Sequence, residues 1–196
     1  MKNPDILTAI QPVVEVFEQL DVSYYIGGSV ASSAYGIARA TLNVDMISNL
    51  TEQQIPELLK ILGPSYYIDE AMVRDAISQR SAFNIIHLET MLKVDIFIVK
   101  EGPFHKKALD RRRKDTLDEE APSVQFYLAS PEDLILNKLD WYRLGGNISE
   151  QQWRDIQGVM KVQNKLLDMK YLLYWGAELE LLDLLEQALH DADLNP

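Results

Sequence analysis

Apolar residues recur along this chain at two spacings, and the alternation between them sets out the expected elements. Ile6, Leu7, Ile10, Val13, Val14, Phe17 and Leu20 follow a helical period, behind an Asn3 cap and Pro4 in the first position. Val22 to Ile26 is a short β-rich run ending at Gly27-Gly28, and Val30 to Tyr35 then fits a helix that stops near Gly36. Asn43 to Ile47 alternates as a strand, and the capping box Thr51-Glu52-Gln53-Gln54 opens a helix through about Leu62. A further helix is expected over Glu70 to Gln79. Phe83 to Leu88 and Leu92 to Val99 then form two strands close enough for an antiparallel hairpin.

After Lys100-Glu101-Gly102-Pro103 the pattern changes. Lys106, Lys107, Arg111, Arg112, Arg113 and Lys114 crowd together, followed by acidic residues from Asp115 to Glu120. An RNA backbone could meet this basic run, but the interleaved Ala108, Leu109 and Asp110 favour an ordinary solvated helix face. Val124 to Leu128 reads as one more strand. Ser130-Pro131-Glu132-Asp133 combines a serine cap, proline at the first position and acid in the first turn, so helix follows. Ser149 opens another helix, and Asp168 to Ala188 keeps helical spacing around Gly176. These elements predict an α/β part over residues 1–129, with a small mixed sheet flanked by helices, and a helical extension over 130–196.

Composition is that of an ordinary globular protein: 196 residues, 47% hydrophobic and 25% charged. A formal net charge of −11 argues against nucleic-acid binding through overall charge, sequence-specific DNA recognition included, and leaves only local basic patches for that role. With no cysteine there is no disulfide framework, thiolate zinc site or cysteine nucleophile. No apolar run approaches the ~20 residues needed to span a membrane, and no signal-peptide pattern opens the chain. A cytoplasmic location is the expectation. His87, His105 and His190 lack ligand spacing, and Trp141, Trp153 and Trp175 fall at intervals that fit core packing better than base stacking.

Candidate chemistry begins with strand geometry. Side chains two apart on a strand share a face, so Asn43 and Asp45 project together while Val44 and Met46 enter the core. Asp95, between Val94 and Ile96, obeys the same rule on a strand that could lie beside them. Carboxylates gathered this way repel one another unless a cation neutralises them, and oxygen-only ligands suit Mg²⁺ or Mn²⁺.

Gly27-Gly28-Ser29, then Arg39-Ala40-Thr41-Leu42-Asn43-Val44-Asp45, then Lys93-Val94-Asp95-Ile96-Phe97 resemble in order and spacing the active-site signature of the nucleotidyltransferase superfamily. The helical part also resembles one bacterial branch, which includes toxins of abortive-infection systems. That likeness lies in Ser130 to Leu139 and Trp153-Arg154-Asp155-Ile156. The resemblance implies a nucleotidyltransferase fold and metal-dependent transfer of a nucleoside monophosphate from an NTP to a hydroxyl acceptor on RNA, protein or a small molecule. It assigns Asn43, Asp45 and Asp95 to the metal, and Gly27, Gly28 and Ser29 to the phosphates. Arg39 either contacts a phosphate or pairs with Asp45. Lys138 either meets the phosphates, as the tail lysine of that branch does, or is a solvated partner of nearby acids.

Asn43 departs from the pattern, which has aspartate there. An amide oxygen can ligate a cation but brings no charge. Three outcomes are open: a working enzyme with an unusual ligand, a slow enzyme with one tight metal, or a silent module that binds nucleotide or a protein partner, as in toxin-antitoxin systems. Oligomeric state has no signature in the sequence.

Overall fold

The computed structural model describes residues 4–116 and 125–194. The expected Asn3 cap, the start of the strand at Val124 and the acidic stretch beyond Thr116 lie outside the described residues.

Helix α1 (Pro4–Gln19) leads into strand β1 (Tyr24–Ile26), and the Gly27 turn passes directly into helix α2 (Gly28–Tyr35). Strand β2 (Asn43–Ser48) follows, and the capping box at Thr51 forms as expected. It opens a single 3₁₀ turn that runs into α3 (Ile55–Leu62). A two-residue strand β3 (Tyr66–Tyr67) and helix α4 (Glu70–Gln79) precede the hairpin of β4 (Ala82–His87) and β5 (Lys93–Ile98). Then come α5 (Pro103–Asp110), β6 (Arg113–Thr116) and β7 (Gln125–Leu128). Four helices complete the described chain: α6 (Pro131–Leu144), α7 (Glu150–Gln163), α8 (Met169–Glu178) and α9 (Leu182–Asp191).

The seven described strands form one mixed sheet in the order β3-β4-β5-β2-β1-β7-β6. Parallel pairing joins β2 to β5 and β1 to β7, and the remaining neighbours are antiparallel. Val44, Met46, Val94, Ile96, Phe83 and Ile85 point into the core. On the other face Asn43, Asp45, Ile47, Asp95 and Phe97 are only partly covered. Helix α2 lies against β2, and α6 and α7 pack on α2, so the helical part flanks this open face.

Three expectations need correction. The basic run is not one helix face: Lys106 and Lys107 sit on α5, whereas Arg113 and Lys114 belong to edge strand β6. Arg112 and Lys114 stand over the Tyr127 ring, with the Arg112 guanidinium 4.6 Å from its centroid. The helical stretch from Asp168 to Ala188 is broken into α8 and α9 by Glu180, whose φ is 57°. Trp141 is 50% exposed, meeting Phe97 edge-on at 5.6 Å instead of entering the core.

Ser130 caps α6 as expected, accepting from the Asp133 amide at 3.1 Å. The acids behind it do more than oppose the helix dipole. Glu132 and Asp133 are each 1% exposed, and both are fully engaged. Glu132 accepts from Arg111 and from the Asp168 amide, each at 3.0 Å, tying the start of α6 to the α5–β6 corner and to α8. Asp133 accepts from Ser130 and Tyr171 hydroxyls at 2.6 Å, and burial still pushes its carboxyl up.

The turn after α2 is wedged against α7. A Cβ on Gly36 would lie 2.8 Å from the Val159 nitrogen and 2.9 Å from the Gly158 carbonyl carbon, both backbone atoms that cannot swing aside. Gly36→Ala is expected to cost about 1–3 kcal/mol by overpacking, read as a lower urea midpoint. An unchanged midpoint would mean that the turn can lift from α7 freely.

Candidate functional site

The parallel pair β2·β5 sets Asn43 opposite Lys93, Asp45 opposite Asp95 and Ile47 opposite Phe97. Two carboxylates therefore stand side by side at matching positions on the open face, the juxtaposition expected from strand alternation. Asp45 also lies under the glycine turn. Gly28 has φ 53°, and any Cβ there would collide with the Asp45 carboxylate, so glycine serves both the backbone conformation and the close approach. The Gly27 amide donates to the Asp45 carbonyl at 2.9 Å, fixing the turn to the strand that carries the acid.

Burial pushes the Asp45 carboxyl above the usual carboxylate range, and the neighbouring Asp95 charge pushes the same way. Lys138, Lys93 and Arg39 oppose this without cancelling it. Lys93 pairs with Asp95 at 3.0 Å. Asn43 turns its amide nitrogen to the acids, donating to Asp95 at 3.2 Å and more distantly to Asp45 at 3.5 Å. The Thr41 hydroxyl lies 3.3 Å from its oxygen and 3.1 Å from the Asn43 backbone carbonyl, and donates between them.

Arg39 does not pair with Asp45. Its guanidinium grips Asp155 on α7 with two bonds of 3.2 Å and also donates to the Ser29 hydroxyl at the start of α2. Lys138 is no solvated partner of acids: only 8% exposed, it donates to the same Asp155 at 2.9 Å, close enough to Asp45 to lower its pKa. Gln151 adds a fourth donor at 2.9 Å. Burial alone would raise Asp155, but the bonds from Arg39 and Lys138 outweigh it and hold the carboxyl below its ordinary value. Asp155 thus gathers the cations around the glycine turn. In the sequence Asp155 stands out only through its place one turn after Gln151 on the same helical face.

Asp45 and Asp95 offer carboxylate oxygens of the kind that hard divalent cations take, whereas the Asn43 oxygen faces Thr41. Offering that oxygen requires the amide to turn over and give up Thr41. Among the described residues no group of three or more His, Cys, Asp or Glu is placed to hold a metal ion. His87 is buried and bonded to Thr90 at 2.9 Å, apart from this chemistry. No helix among the described residues is long and apolar enough to cross a membrane.

No family model matches the chain, and no curated protein does. Solved structures do. One is an antigenic nucleotidyltransferase-like protein from Paracoccidioides brasiliensis, 16% identical, with 82% of this chain and 76% of that chain covered and a TM-score of 0.50. Another is the antibiotic-resistance factor ANT(2'')-Ia, 14% identical, covering 97% of this chain and 100% of that chain at a TM-score of 0.55. At such identities the likeness is one of fold: this chain has the mixed α/β architecture seen in nucleotidyltransferases.

The raised Asp45 carboxyl has a consequence for stability. An acid whose folded pKa is raised stabilises least once deprotonated, so the cost is present at neutral pH and fades as pH falls toward its ordinary value. Asp45→Asn should raise the melting temperature at pH 7. That gain should vanish near pH 4. A variant melting below wild type at pH 7 would show that the acid pair is not under electrostatic strain.

Proposed function

We propose that this chain transfers a nucleoside monophosphate from an NTP to a hydroxyl acceptor at the Asp45–Asp95 site. The in-register carboxylate pair beneath the glycine turn supports this reading above all. Asp45, Asp95 and the Asn43 oxygen would hold one Mg²⁺ or Mn²⁺. When bound, the cation neutralises the acid pair and supplies Lewis-acid stabilisation to the phosphates. The amides that open α2, with the Ser29 hydroxyl, receive triphosphate oxygens. Arg39 and Lys138, held by Asp155, add positive charge where the pyrophosphate develops it in the opposite sign. The acceptor oxygen attacks the α-phosphorus and the bond to the pyrophosphate oxygen breaks. The hydroxyl proton passes to a carboxylate of the acid pair. In this reading residues 1–129 carry the transfer site, and the helical extension over 130–196 supplies Lys138 and Asp155.

One observation favours a second reading. The Asn43 amide and the Lys93 ammonium already compensate the acids with protein donors, as a silent module would. Such a module would bind a nucleotide or a protein partner, as in a toxin-antitoxin pair.

Transfer of label from each α-labelled NTP into RNA, protein and small acceptors separates the two, with Asp95→Ala as the blank. Wild type should transfer slowly, only with added Mg²⁺ or Mn²⁺. Asn43→Asp should be faster by about tenfold or more, equivalent to ~1.4 kcal/mol of barrier. Transfer by neither protein across the acceptor set would leave the silent module standing.

A further inference from the structure

Behind the Asp155 cluster lies a cavity of about 350 Å³ that shares only Arg39 and Asp155 with the proposed transfer site. It falls within the range of small-ligand pockets, about 300–1,000 Å³. One wall is α7, where Gln151, Arg154, Gly158 and Lys161 recur at three- and four-residue steps on a single face. The other is the turn bearing Ile37 and Arg39, held against α7 by the backbone contact of Gly36 with Gly158 and Val159.

The lining is cationic in a chain of net charge −11. Arg39, Arg154 and Lys161 face a single acid, Asp155, already saturated by its own donors. Arg154 is engaged only at the rim, by Glu150 at 3.0 Å, in a pair 69% and 83% exposed. Exposed pairs of this kind are weak and exchange readily for a better anion. Lys161 forms no ion pair among the described residues. Ile37 is 72% exposed at the mouth, its side chain lying beside Gly158. Arg39 is the wall shared with the transfer site, since it touches Ser29 at the start of α2.

We propose that this cavity binds a phosphate group of the acceptor, with Arg154 and Lys161 as its contacts and Ile37 flanking the moiety that carries it. The word acceptor rests on the transfer reading; phosphate recognition does not. The phosphate could belong to a small metabolite or to an RNA strand, and the binding experiment distinguishes them.

The probes are adenosine monophosphate and a single-stranded RNA trinucleotide, titrated by calorimetry into the full chain at 50 and 200 mM salt. Both Arg154 and Lys161 are exposed helix positions, so Arg154→Glu with Lys161→Glu should fold, as checked by melting. The double variant should lose tenfold or more in affinity for the bound probe, while Lys161→Arg keeps it and Mg²⁺-NTP affinity stays unchanged. RNA binding that is tighter and falls more steeply with salt assigns the cavity to a strand; equal affinities assign it to a small phosphorylated acceptor. No binding of either probe, or binding indifferent to charge reversal, overturns the proposal. Probe binding intact in a protein that transfers nothing would remove the transfer reading and leave the cavity assigned.

Discussion

Two carboxylates forced together by strand register are the constraint around which this molecule is arranged. Parallel pairing of β2 with β5 leaves Asp45 and Asp95 no choice of distance, and each rests on a partly covered face. Like charges so placed repel, the more so where burial excludes water. That cost is met from several directions. Gly28 withdraws every atom that would crowd Asp45, Lys93 pairs with Asp95, and the Asn43 amide donates to both acids. Burial first, and the Asp95 charge after it, still leave the Asp45 carboxyl raised.

Asp155 performs the converse task. It is an acid placed among cations, and its four donors come from the turn after α2, from α6 and from α7 itself. Without it, Arg39 and Lys138 would be drawn directly onto Asp45 and Asp95, closing the cleft with salt bridges. With it, both cations are near the acids yet committed elsewhere. An incoming anion can recruit them without first separating them from the acid pair. The wedge of Gly36 against α7 keeps this arrangement rigid, because the turn bearing Arg39 cannot move independently of the helix bearing Asp155.

Much of this was legible in the sequence, for physical reasons. Alternation in Asn43 to Ile47 and Leu92 to Val99 fixed which side chains share a face, and the caps at Thr51, Ser130 and Ser149 marked helix starts by chemistry that acts within four residues. The pieces that escaped depend on distant partners. Strand β6 is too short and too charged to show a strand pattern, and it exists through its ladder with β7. Glu132 and Asp133 read as dipole partners because nothing local reveals Arg111 or Tyr171 lying over them. The break between α8 and α9 falls at Glu180, a residue with no intrinsic preference for positive φ. Arg39 had an obvious acid nearby in Asp45; its real partner lies more than a hundred positions further on.

Asn43 gives the site a property that a third aspartate would not. A carboxylate only accepts, so three of them would leave an open cluster of repulsion that a cation alone relieves. A carboxamide donates and accepts, and can compensate the acids with its own nitrogen while Thr41 holds its oxygen. In the proposed transfer reading, cation binding would displace an existing arrangement: the Asn43–Asp95 and Thr41–Asn43 bonds would break before the amide oxygen could serve as a ligand. At about 1 kcal/mol per hydrogen bond this competition alone would weaken cation affinity by one to two orders of magnitude. The loss of a negative charge adds to it. Occupancy of the proposed site would then respond to free divalent ion over a higher concentration range than a triple-aspartate site would require, and the energetic link between Thr41, Asn43 and Asp95 would set where that range falls.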